Sequence, residues 1–196
     1  MGYKQEFQPL SREDTITVLL YRAGIVLSSI IIAGLAYLSM LDRALLSLSA
    51  DIFIPGLYVS VGMSVFFIHL YIRKFKTYLK YLYFVSLGCL VALLFIGKGS
   101  LSGALTREPY ISLLLLPLSG CLGFVTVKEA FCFQFVEGYL LAMIMPVYLL
   151  LISSGILSYA GASYGLVLIA VLLAIFTLRK VLTPLAWDIG DKSEYH

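Results

Sequence analysis

Apolar residues in this chain gather into six long runs. They do not follow the apolar–polar alternation of half-buried strands or the 3.6-residue stripe of surface helices. The runs cover about residues 22–41, 52–72, 81–97, 110–127, 138–154 and 164–182. A hydrocarbon layer about 30 Å thick is crossed by roughly 20 apolar residues in helical form, within a range of about 17–25. Every run falls in that range. Lipid offers no partner to backbone N–H and C=O groups, so each run must satisfy its own, which predicts helices. The fold expected is an all-α, polytopic transmembrane bundle of about six spans. It forms a single integral membrane domain over residues 1–196, since no connection is long enough to fold separately.

Composition agrees with the pattern. The chain is 61% hydrophobic and 13% charged, about half the charged fraction of a soluble domain. The first run is preceded by Ser11-Arg12-Glu13-Asp14, the S-x-x-D form of a helix N-terminus. It starts late and behind an acidic pair, unlike a cleavable leader, and is expected to remain as a helix.

Charge orients the bundle. With the N-terminus in the cytoplasm and six spans, 11 of the 14 Lys and Arg residues face the cytoplasm, and only Arg43, Lys98 and Arg107 face the other side. The densest group is Arg73-Lys74-Phe75-Lys76 with Lys80, in the link between the second and third spans. Both termini are therefore expected inside. Tyr78, Tyr81 and Tyr83 flank that link and Trp187 follows Pro184, as belts at headgroup level require. The tail from Asp188 to His196 is polar and expected to be mobile. No basic domain remains outside the spans to hold a nucleic acid. The partners implied are the lipid bilayer and other membrane-protein subunits.

Small residues recur at helical spacing: Gly24 with Ser28, Ser60 with Ser64, Ser119 with Gly123, Gly161 with Gly165. Such pairs let helix backbones approach in lipid. No three-plus-three inverted repeat of the transporter kind is visible.

The segment richest in chemical groups runs from Lys128 through Glu129, Cys132 and Gln134 to Glu137, interleaved with Phe131, Phe133 and Phe135. If it is helical throughout, Glu129, Phe133 and Glu137 share a stripe and Lys128 shares a face with Cys132. The plainer reading is an interfacial connection, with the rings in the acyl boundary and the charges outward. The sharper reading is a polar pocket under the bundle, because carboxylates near lipid are costly and frequently functional. Glu137 is favoured, since the fifth run starts right after it. The pair would hold a cation, relay a proton, or pair with Arg22, Lys128 or Arg179.

Other positions are weighed the same way. His69 is the one histidine in a run; it reads as a bonded helix-end residue, or as an axial ligand to haem or chlorophyll or a proton relay. Arg22 reads as an anchor that snorkels to headgroups. Asp42, Arg43 and Asp51 read as a solvated turn capping the first two helices. Pro117 and Pro146 fall inside the fourth and fifth runs and read as packing kinks, or as facing bends that open a cavity near Glu137. Cys89, Cys121 and Cys132 lack C-x-x-C spacing, and Cys89 and Cys121 read as small hydrophobes. No P-loop, H-E-x-x-H, G-x-S-x-G or histidine-box pattern occurs in the sequence.

The stretch Lys128-Glu129-Ala130-Phe131-Cys132-Phe133, followed by Glu137-Gly138-Tyr139, resembles the signature of an uncharacterised family of small polytopic integral membrane proteins associated mainly with cyanobacteria and their relatives. The resemblance implies a photosynthetic (thylakoid) or bacterial plasma membrane. It brings no reaction and no cofactor with it.

Three functional readings follow. The first is a non-enzymatic subunit or auxiliary and assembly factor of a membrane complex. The second is a small solute or proton transporter or channel using Glu129 and Glu137. The third is a membrane-embedded lipid-modifying enzyme. The shared topology is tested by reporter fusions after Lys76, Gly103 and His196. Alkaline phosphatase should be active only at Gly103; activity at Lys76 or His196 contradicts the orientation.

Overall fold

A computed structural model describes residues 11–70 and 73–188, with the side chains of residues 106, 107 and 186 left aside. Seven α-helices and two short 3₁₀ segments account for the described fold, with no strand among them: α1 Arg12–Leu41, α2 Arg43–Phe67, α3 Arg73–Ile96, α4 Leu101–Arg107, α5 Leu116–Phe133, α6 Val136–Ser153 and α7 Tyr159–Leu182. The 3₁₀ segments are Pro109–Leu115, which leads into α5, and Leu185–Asp188. Six helices are long and apolar enough to cross a membrane, Pro109–Phe133 counting as one.

The helices outrun the apolar runs because hydropathy marks hydrocarbon, while capping marks the backbone. Ser11 accepts from the Asp14 N–H at 3.1 Å and Asp14 accepts from the Ser11 N–H at 3.0 Å, closing the expected capping box. It starts α1 about ten residues before the first apolar run. Asp42 ends α1 and begins α2 at once. Its N–H reaches Leu38 O and its carboxylate takes the Ala44 N–H. The turn between the first two spans is thus one residue long.

Three expectations change here. Asp51 lies inside α2 and does not belong to a solvated turn. It accepts from Ser102 N at 2.8 Å and Ser100 Oγ at 3.1 Å, and so fastens the start of α4. The second run overreaches at its end: α2 stops at Phe67 and Ile68 is extended. Ile68 and Leu70 are apolar, so composition could not reveal the break. The basic residues Arg73 to Lys80 form the first two turns of α3, which makes them part of a helix. Pro117 sits in the first turn of α5, just after the 3₁₀ segment, where its missing N–H breaks no helical bond. Pro146 lies within α6, and Pro55 within α2.

Packing relies on small residues, as expected where apolar side chains gain nothing by leaving lipid. α1 and α2 form the most extensive helix pair. Two of the expected small-residue pairs meet across it. Ser28 Oγ lies 2.8 Å from Ser60 Oγ, and a Cβ on Gly24 would stand 2.5 Å from Ser60 O. Gly138 holds α6 equally close to α5, where a Cβ would meet Thr126 O at 2.5 Å. α7 packs on α1 and α6, and α5 packs on α3 and α6. The start of α1 and the end of α7 lie at the same end of the bundle, called the basic end below, because Arg22 reaches Thr183 and Asp188.

Outward faces are apolar. Ile30, Tyr37, Phe84, Phe95, Val147 and Leu178 are each more than half exposed or close to it. That surface suits hydrocarbon and would be costly in water.

Candidate functional site

A chain of buried charges closes the basic end. Glu129 stands on the last full turn of α5, facing inward, and is 0% exposed. Its Oε1 accepts from Tyr21 OH at 2.6 Å and from Lys128 Nζ at 2.7 Å. Its Oε2 accepts from Lys180 Nζ at 2.5 Å. Lys180 is also 0% exposed, and its ammonium donates to Asp188 Oδ1 as well. The other oxygen of Asp188 accepts from Arg22 Nε at 2.6 Å. Arg22 then donates to Thr183 O at 2.8 Å, Thr183 Oγ1 at 3.1 Å and Pro184 O at 3.1 Å.

The local sequence explains how each group arrives. Tyr21 and Arg22 are adjacent on α1, one reaching toward α5 and the other toward the end of α7. Lys180 lies in the last turn of α7, where a cation suits the helix dipole. Thr183 and Pro184 stop the helix, and the 3₁₀ turn Leu185–Asp188 folds the chain back so that its carboxylate meets the ammonium. Rings line the cluster: Lys180 Nζ is 4.4 Å from the centroid of Phe133, and Lys128 Nζ is 5.5 Å from that of Tyr21.

Glu137 takes a separate partner. Both its oxygens accept from one Arg179 nitrogen at 2.9 Å, and the guanidinium lies 4.3 Å from the Phe135 centroid. Lys180 and Arg179 are neighbours, so α7 supplies one cation to each of the two carboxylates.

The single stripe carrying both carboxylates is corrected. α5 ends at Phe133, and Gln134 turns left-handed with φ 57° and ψ 40°. Glu129 thus ends one helix and Glu137 begins the next. Cys132 and Gln134 are exposed, and neither makes a hydrogen bond to the paired charges. Phe131 is exposed as expected of an interfacial ring, whereas Phe135 is buried.

Arg22 does not snorkel. It is 7% exposed and lies ten residues inside α1. Asp188, read as part of a mobile tail, is buried at the centre of the network; the rest of that tail lies outside the described residues. His69 falls outside any helix, past the end of α2. Its Nε2 is 3.3 Å from Thr17 Oγ1, and its Nδ1 is buried with no partner among the described groups. Burial first, then Lys76 and Lys128, pushes its pKa below 6.5, so the ring is neutral near pH 7. No group of three or more His, Cys, Asp or Glu side chains converges among the described residues.

Tyr21, Lys180 and Asp188 are the members that sequence reading missed. Lys180 counts in the sequence only as one of the eleven cytoplasmic cations, and nothing there distinguishes it from its exposed neighbour Arg179. The one available hint was Pro184, which forces a turn and lets the acid that follows come back onto the bundle.

A cavity of about 290 Å³ lies elsewhere, between mid-bundle and the far end. Its lining includes Ile54, Leu118 and Met145, and no charged side chain. Pro117 and Pro146 flank it, so the space that facing prolines were expected to open lies away from Glu137.

Residues 63–196 match the model of a family described as uncharacterized integral membrane protein (DUF2301). No curated protein and no solved structure matches the chain.

Replacing Lys180 by Met leaves two buried carboxylates short of a cation. Lys180→Met should lower the unfolding free energy in detergent by about 3–5 kcal/mol. Arg179→Met should cost less, about 1 kcal/mol, because the Arg179 side chain is 47% exposed and solvent screens its end of the pair. Unfolding titrations in mixed micelles measure both, and equal losses would contradict the assignment.

Proposed function

The chain belongs to the DUF2301 family of uncharacterized integral membrane proteins, and we propose that it acts without catalysis, as a subunit or auxiliary factor of a larger complex in a plasma or photosynthetic membrane. One observation carries this reading: the cavity and the charges are separate. An enzyme site joins a pocket to titratable groups poised on its substrate. Here the cavity is lined without a charged group, and the cluster is shut. Glu129 already accepts from three donors and Asp188 from two.

The pairing of both carboxylates argues against ion-coupled transport through Glu129 and Glu137. A relay needs a carboxylate that can gain and lose a proton beside water. Each of these two is held by a cation of α7 from the same chain. The apolar outer faces of the spans are what remains for recognition, and they suit contact with lipid and with the helices of a partner. Positive charge puts the cluster on the cytoplasmic side in this reading.

Gentle solubilisation from native membranes followed by a native gel tests the proposal. The protein should migrate in an assembly heavier than itself, and purified protein in vesicles should pass protons no faster than empty vesicles do. A lone monomer, together with a proton flux that falls in Glu137→Gln, would replace this reading with the transporter.

A further inference from the structure

We propose that the apolar cavity binds the acyl chain of a bilayer lipid. The lining sets the chemistry. Its hydroxyls belong to Ser112, Ser119 and Tyr148, and each donates to a backbone carbonyl: Pro109 O at 2.7 Å, Leu116 O at 2.9 Å and Ala162 O at 2.9 Å. A polar ligand would find no free donor or charge there. Water needs two to four polar partners, and the lining offers it no free donor, only acceptor lone pairs on three hydroxyls already tied to carbonyls. Hydrocarbon is the occupant whose own chemistry matches.

Size and position agree. An apolar cavity of about 150 Å³ takes up benzene, so about 290 Å³ holds a chain of roughly a dozen carbons. The lining residues lie from the middle of the spans to the far end, at the depth where the acyl chains of one leaflet lie. Those chains surround the protein as its solvent, and an occupant restores the dispersion contacts that an empty space forfeits.

The cavity is also built into the backbone. Two of its lining residues adjoin prolines inside helices: Ile54 beside Pro55 in α2 and Met145 beside Pro146 in α6. A proline ring keeps its own helix from closing over the carbonyl one turn back. Side-chain repacking alone therefore does not fill the space.

Photolabelling of the full chain tests this. The protein is reconstituted in phosphatidylcholine vesicles doped with a phosphatidylcholine that carries a diazirine on one acyl chain, and adducts are mapped by mass spectrometry. Adducts are expected on buried Met145 and Ile169, 5% and 3% exposed, as well as on exposed Leu150 and Leu168. Ser119→Phe, which puts a ring into the cavity, should reduce the buried adducts about tenfold, the effect of about 1.4 kcal/mol. Adducts at Leu150 and Leu168 should persist, which also reports that the variant is inserted. If Ser119→Phe does not insert, Ala50→Leu fills the same space. Wild-type adducts confined to exposed residues would overturn the proposal. So would an isoprenoid diazirine probe that labels Met145 more strongly than the acyl probe does.

Discussion

The Lys180 ammonium has no access to solvent, and an isolated charge in that position would cost several kcal/mol. Glu129 and Asp188 remove that cost together, one from the end of α5 and one from the turn beyond α7. This demand shapes the basic end. α7 must finish beside α5, the chain must double back after Pro184, and α1 must pass close enough for Tyr21 and Arg22 to complete the two carboxylates. The ends of α5 and α7 meet the third turn of α1 at a junction whose members are individually unfavourable in lipid and jointly satisfied.

The rest of the bundle is held differently. Apolar side chains gain little by exchanging lipid for protein, so close contact and satisfied polar groups decide which helices meet. Gly24 against Ser60 and Gly138 against Thr126 give that contact on either side of the junction. At the far end Asp51 fastens α4 through Ser100 and Ser102. Between the two polar ends lies the apolar cavity. The molecule thus has polar ties at both ends, and the cavity between them is lined without a charge.

The spans were legible because a bilayer imposes one simple demand, about 20 apolar residues per crossing. The start of α1 was legible too, from Ser11 and Asp14. What hydropathy does not encode is backbone conformation, and so the end of α2 at Phe67 was hidden by the apolar residues that follow it. Glu129, Glu137 and Lys128 stood out as charges beside hydrocarbon, and they are indeed buried or nearly so. Their partners were less visible. Lys180 and Asp188 come from residues about 50 positions further on, and their pairing depends on which face of α7 turns inward. The left-handed Gln134 was also unreadable, since glutamine is not a usual residue for that conformation.

The central claim is that Lys180 and Glu129 stabilise the bundle as a coupled pair. A double-mutant cycle with Lys180→Met and Glu129→Gln, measured by unfolding in mixed micelles, tests it most directly. A coupled pair predicts that the double variant loses far less than the two single losses combined, with a coupling energy of about 1–3 kcal/mol. Losses that add to within about 0.5 kcal/mol would mean the two groups act independently, and would contradict the account.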